Sequence, residues 1–246
     1  MTIRAAGRAC WFLWEALVIT IDYFFTAARA PADKQRLERA AWLSRSSCRH
    51  LRLFGYSAAV SGDIPKTGLL FTNHLSYMDV MSICAVTPAV FVSKAEVRKW
   101  PLFGWFAAIA GTVFINRQRR THVGEVNREV EEALAAGTLV TIFPEGTSSN
   151  GETILPFRTS LLEPATRGNH DIAVGWLHYE LSDGDARNEV CYWGDHTFFP
   201  HLMNLLGRKK VHATLRFAKF QRTTDDRKEL AVQLHAAVQA LKDRAY

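Results

Sequence analysis

Cysteine is scarce in this chain. Cys10, Cys48, Cys84 and Cys191 are the four in 246 residues, and no two form a C-x-x-C pair. Neither a disulfide framework nor a cysteine zinc site is implied, and a reducing compartment is the simplest setting. The sequence has no G-x-G-x-x-G, no Walker A loop and no G-x-S-x-G elbow. It therefore offers no dinucleotide fingerprint, no P-loop and no serine nucleophile on a strained turn. There is no internal repeat and no low-complexity segment. Acidic residues are outnumbered, 24 against 30 Lys and Arg, for a net charge of +6. That balance points to an anionic partner: nucleic acid, a membrane surface or a phosphorylated substrate. No nucleic-acid recognition motif accompanies the charge, so nucleic acid is not expected as a partner.

What is present is apolar. Hydrophobic residues make up 48% of the chain, enough for the core of one large α/β domain or one domain with an appendage. Residues 9–28 are long enough to span a bilayer, but Glu15 and Asp22 interrupt them, and a carboxylate at the membrane centre is costly. Trp11, Trp14, Tyr23, Phe24 and Phe25 are of the kind enriched at the interface. A helix lying in the interface is favoured. A signal peptide ending at Ala28-Arg29-Ala30 is the rival, and the two acids argue against it. After Pro31, residues 33–52 carry six basic residues against Asp33 and Glu38, with an apolar stripe through Leu37, Trp42 and Leu51. This reads as a basic amphipathic helix that completes a hairpin on an anionic membrane; a solvated helix packed by its apolar face is the alternative. Residues 1–52 are set apart from 53–246 on this basis.

Beyond the hairpin, short apolar strands alternate with helical patterns. Strands are expected near 56–60, 68–72, 89–92, 111–115, 139–143, 172–179, 189–193 and 211–218. Helices are expected after Asp79, from Pro101, over 123–134 with Gly137 as C-cap, around 159–165, and from about 225 with Thr223-x-x-Asp226 as a capping box. The fold class is α/β, a mixed, largely parallel sheet covered by helices.

In such sheets ligands bind beyond the carboxyl ends of the strands. The first buried strand ends at Asn73-His74-Leu75-Ser76-Tyr77-Met78-Asp79. His is the side chain suited to proton transfer near neutral pH, and a carboxylate on its other nitrogen fixes the tautomer. Five residues on one helix would leave the two side chains roughly 140° apart, so the pair meets only with His74 on a turn and Asp79 in the first helical turn. Ser76-x-x-Asp79 also fits a capping box, which makes a plain helix cap the alternative role for Asp79. Two other strand ends carry Asn116-Arg117 and Pro144-Glu145-Gly146-Thr147. Together the three supply a proton acceptor, a cation, and a Gly loop whose N–H groups can face oxygen atoms.

The order N-H-x-x-x-x-D, G-x-x-F-I-x-R, F-P-E-G-T, carried by Asn73-His74…Asp79, Gly111…Phe114-Ile115…Arg117 and Phe143 to Thr147, resembles the glycerolipid acyltransferase family that includes 1-acylglycerol-3-phosphate acyltransferases. Lys94 and Glu96 before Pro101 and Gly104 are similar to a further block of that family, and the hairpin resembles the membrane-docking element of some bacterial members. The resemblance covers about residues 55 to 180. It implies a glycerol-3-phosphate acyltransferase-like fold and transfer of a fatty acyl group from acyl-CoA or acyl carrier protein to the hydroxyl of a lysolipid. The first acceptor it suggests is 1-acyl-sn-glycerol-3-phosphate. His74 would be the general base and Asp79 its orienting partner. Arg117, Glu145, Gly146 and Thr147 would bind substrate, with Lys94 and Arg158 as helpers. No metal or cofactor is implied, and the expected place is the cytoplasmic face of the cell membrane. Two features depart from the phosphatidate-forming pattern. Ser148 stands where many members have Arg, and the strand at Asp171 to Trp176 lacks a Pro. The stretches Thr147 to Leu161 and Trp193 to His201 instead resemble a bacterial subgroup that includes lyso-ornithine lipid acyltransferases. Asp195, His196 and His201 match no metal-ligand spacing.

Overall fold

A computed structural model describes residues 2–115 and 122–244. Two N-terminal helices, α1 (Ile3–Phe25) and α2 (Gln35–Leu51), precede an alternation of β1 (Ser57–Gly62), β2 (Gly68–Thr72), α3 (Met78–Val86), β3 (Ala89–Lys94), α4 (Phe103–Ile109), β4 (Val113–Ile115), α5 (His122–Ala135) and β5 (Leu139–Ile142). The second half holds α6 (Glu163–Arg167), β6 (Ile172–Leu181), α7 (Ala186–Glu189), α8 (Phe198–Gly207), β7 (Val211–Phe220) and α9 (Arg227–Asp243). The seven strands form one sheet in the order β1-β7-β6-β2-β5-β3-β4. Every pairing is parallel except β6 with β7.

Successive strand side chains point to opposite faces, and both faces are covered, so the central strands are apolar throughout. Leu70 and Phe91 join Met78, Ile83 and Leu205 in one core. Leu69, Phe71 and Val140 join Val130, Leu234 and Val238 in the other. Each fully buried Leu or Phe contributes roughly 1.5–3 kcal/mol of transfer free energy.

The hairpin is packed into the molecule. Phe12 belongs to the first core, and Trp42 is fully buried, its Nε1 donating to the Ile19 carbonyl at 2.8 Å. The two acids of α1 have partners on α2: Glu15 accepts from Arg49, and Asp22 accepts from Arg45 at 3.0 Å. A third arginine of α2, Arg36, meets Glu132 of α5. Three of the basic residues expected to face an anionic surface therefore meet carboxylates of the same chain. The apolar outer face is on α1, where Leu13, Trp14, Leu17, Ile21, Phe24 and Phe25 are exposed. The segment 3–29 is long and apolar enough to cross a membrane.

Several elements differ from expectation. Residues 189–193 form no strand: Asp185 caps α7 by accepting from the Arg187 N–H, and the chain then leaves the sheet, with Tyr192 N donating to the Leu75 carbonyl at 2.7 Å. The expected helix at 159–165 is a 3₁₀ turn, Thr159–Leu161, followed by the short α6, which has Pro near its start. α9 is capped by Asp226 itself, which accepts from Lys228 and Glu229 N–H groups, so the box starting at Thr223 does not form. α4 begins two residues after Pro101, because Leu102 takes φ 65° and Gly104 lies against Val97 and Arg98. A Cβ at Gly104 would sit 2.2 Å from the Arg98 carbonyl oxygen.

Candidate active site

Asn73 ends β2 by substituting its amide for the next rung of the ladder. It accepts from Leu177 N at 2.8 Å and donates to Leu177 O at 3.0 Å, beyond the last paired residues Thr72 and Gly175. The chain then turns, and α3 starts at Met78. Asp79 is completely buried in this first turn. Its Oδ2 accepts from Leu75 N at 2.7 Å, Ser76 N at 3.0 Å and His74 Nδ1 at 2.8 Å. Its Oδ1 accepts from the Tyr179 hydroxyl at 2.8 Å. Asp79 thus makes the contacts of a turn cap and of an imidazole partner at once. One oxygen caps the turn and orients the imidazole. The reciprocal half of the capping box is absent, since Ser76 Oγ is buried with no hydrogen-bond partner among the described residues.

Four donors converge on a carboxylate that can only accept while ionised. Nδ1 of His74 therefore carries a proton, and in the neutral imidazole it is Nε2 that has the lone pair. The imidazole lies flat on Phe143, centroids 4.0 Å apart, and lines a cavity of about 310 Å³. A buried carboxylate that fixes the tautomer and an imidazole on the wall of a cavity suit general-base catalysis.

The F-P-E-G-T loop closes the corner from the other side. Gly146 takes φ 70°, a conformation that favours glycine, and its N–H donates to the Phe143 carbonyl at 3.0 Å. Glu145 is buried and accepts from His74 N at 3.0 Å and Leu155 N at 3.3 Å. Burial pushes its carboxyl up to about 8, against the pull of those two N–H groups. Arg158 donates from Nε to the Glu145 carbonyl at 3.1 Å. Glu145 and Arg158 therefore shape the loop that holds His74. Gly146, Thr147 and Lys94 line the cavity itself. Arg117 lies outside the described residues.

Sequence reasoning did not reach Tyr179, which is 100 positions from the carboxylate it serves, because no local pattern marks it. For α8 and the Tyr192–His196 wall of the cavity sequence reasoning had only the resemblance of Trp193 to His201 to a bacterial subgroup. The spacing of Phe198, His201, Leu202, Leu205 and Leu206 is a helical signal that was there to be read. Among the described residues, no group of three His, Cys, Asp or Glu side chains is placed to hold a metal ion.

Comparison with known proteins gives the family. A family model described as acyltransferase matches residues 59–174. The chain is 33% identical over 210 residues to a lyso-ornithine lipid O-acyltransferase of Brucella abortus, covering 79% of each protein. It is 38% identical over 138 residues to a 1-acyl-sn-glycerol-3-phosphate acyltransferase of Neisseria gonorrhoeae, covering 52% of this chain and 54% of that one. The crystal structure of a 1-acyl-sn-glycerophosphate acyltransferase from Thermotoga maritima superposes with a TM-score of 0.59 at 20% identity, over 97% of this chain and 99% of that one, a likeness of fold.

Proposed function

This chain belongs to the acyltransferase family, and from that premise we propose that it moves a fatty acyl group from acyl-CoA or acyl carrier protein to the free hydroxyl of a lysolipid. His74 Nε2 takes the hydroxyl proton as the oxygen attacks the thioester carbonyl. Asp79 stabilises the imidazolium through Nδ1. The tetrahedral intermediate collapses, the C–S bond breaks, and the leaving thiolate takes the proton back from His74. The products are an ester and a free thiol, with no covalent acyl-enzyme and no cofactor. The observation that carries the reading is the 2.8 Å bond from His74 Nδ1 to fully buried Asp79, with the imidazole on the cavity. Such proton transfer typically supplies about 10²–10⁴-fold in rate.

The favoured acceptor is lyso-ornithine lipid. The relative of that name matches 210 residues, against 138 for the phosphatidate-forming one. Ser148, which replaces a cation, also donates from Oγ to the Tyr192 carbonyl and so belongs to the cavity's architecture. Lysophosphatidate is the second reading, and it rests on Arg117 as a bidentate phosphate clamp, with Gly146, Thr147 and Lys94 around the headgroup. A neighbouring apolar cavity of about 170 Å³, between α1, α2 and α4, is assigned to the acyl chain. The outer apolar face of α1 is assigned to the bilayer interface on the cytoplasmic side, where the thioester donors are made.

Purified protein in detergent, given one labelled acyl-CoA and a panel of lysolipids beside His74→Ala, tests the reading. We expect transfer to lyso-ornithine lipid that falls by about 10²-fold or more in the variant. Transfer to lysophosphatidate alone would change the acceptor and keep the chemistry. No transfer from either acyl-CoA or acyl carrier protein would overturn it.

A further inference from the structure

The wall of the catalytic cavity opposite the F-P-E-G-T loop is the segment 191–197, fastened at several points. Tyr192 N donates to the Leu75 carbonyl at 2.7 Å. Ser148 Oγ donates to the Tyr192 carbonyl, and Trp193 Nε1 donates to the Arg187 carbonyl at 2.9 Å. His201 of α8 commits both ring nitrogens. Its Nε2 lies 3.1 Å from the Cys191 carbonyl, which can only accept. Nδ1 is therefore the acceptor, and the Tyr77 hydroxyl donates to it at 3.0 Å. Tyr77 sits inside the N-H-x-x-x-x-D corner. The segment is thus tied to both motifs that frame His74.

Within this segment His196 is tied by its backbone, its N–H donating to the Trp193 carbonyl at 3.3 Å, but not, among the described residues, by its ring. Its ring lines the same cavity as His74 and is held among other rings, with centroids 5.2 Å from His201, 6.1 Å from Trp193 and 6.3 Å from Tyr192. Yet its Nδ1 is buried with no hydrogen-bond partner among the described residues. A buried polar atom left unpaired is rare and costly. Here it belongs to a residue that ring contacts position and that reaches a substrate-sized space.

We propose that His196 is a specificity-determining residue, whose imidazole hydrogen-bonds an anionic oxygen of the acceptor headgroup while the acceptor hydroxyl lies at His74. This rests on the lysolipid reading above. The oxygen belongs to the carboxylate of an amino-acid headgroup or to a phosphate; both accept from an imidazole N–H, and the choice of acceptor in the assay separates them. On this account Ser148 is a positioning residue. Its hydroxyl holds Tyr192, and with it the segment that presents His196.

The test uses the full chain in detergent, palmitoyl-CoA as donor, and lyso-ornithine lipid and lysophosphatidate as separate acceptors. For whichever acceptor the wild type uses, His196→Ala should raise the acceptor KM by about tenfold or more, with kcat and the donor KM within about twofold. His196→Asn, whose amide nitrogen reaches the position of Nδ1, should bring the acceptor KM back to within about threefold of wild type. An unchanged acceptor KM in His196→Ala overturns the proposal. So does an equal rise in the donor KM, or a failure of Asn to rescue in a variant that melts at the wild-type temperature. A wild type that acylates neither acceptor fails the lysolipid reading itself, a different result from an active wild type with an indifferent His196.

Discussion

Two cavities meet at a wall formed by Tyr77, Val80, Phe91, Ser93, Val97 and Trp100. The larger one, about 310 Å³, contains His74, Lys94, Thr147, Ser148 and His196. The smaller, about 170 Å³, is lined mostly by apolar residues such as Phe12, Trp42, Phe103 and Phe106. The difference follows from what builds each of them. The first lies past the carboxyl ends of β2, β3 and β5, where backbone groups leave the ladder and must find other partners. Polar side chains collect there because the backbone needs them, and chemistry uses what is collected. The second lies mainly between helices, whose backbone groups are satisfied internally, with Phe91 and Ser93 of β3 on one side. Most of its lining residues are apolar, with Ser46, Ser47 and His50 among the exceptions. One fold thus offers a polar chamber for a headgroup and reacting atoms beside an oily one for a hydrocarbon chain.

The largest test of that division acts on the polar side. Asp79→Asn presents an amide N–H₂ to a cluster of donors that needs an acceptor. We expect transfer to fall by about 10²–10⁴-fold. The melting temperature should also drop by about 5–10 °C, since about 2–3 kcal/mol of buried hydrogen bonding is lost. An Asn variant with more than a tenth of wild-type turnover would remove catalysis from this chamber. Next, Ala107→Trp fills the apolar side. Turnover with 16-carbon acyl-CoA should fall by about thirtyfold while 8-carbon donors change by about twofold or less; an equal loss at every length would detach the acyl chain from that cavity. The smallest expected effect is outside both cavities. Trp14→Asp with Leu17→Asp, on the exposed face of α1, should weaken sedimentation with anionic vesicles by about tenfold at unchanged turnover in detergent. Unchanged sedimentation would free α1 from the membrane.

The polar chamber was largely legible in the sequence, and the apolar one was not. His74 with Asp79, and Glu145 to Thr147, sit at the ends of continuous apolar runs, which is how strands buried on both faces read. The helix over 123–134 with Gly137 beyond it was legible for the same local reason, and Gly137 does take φ 77°. What escaped depends on distant partners. Glu15 and Asp22 read as penalties against membrane burial, while in the fold they are counter-charges for Arg49 and Arg45. Val190-Cys191-Tyr192 has strand composition, but the sheet has no place for it, and its N–H goes to the catalytic corner instead. No spacing in the sequence announces that a tyrosine on β6 will reach Asp79.

The single oxygen Asp79 Oδ2 holds the Leu75 and Ser76 N–H groups and the His74 ring together, so the start of α3 and the aim of the base are one constraint. Leu75 and Met78, within the same turn, are buried in the first core, so the turn cannot open without that core opening too. On warming, turnover and fold should therefore be lost together, and turnover lost at a lower temperature would show that the turn opens alone.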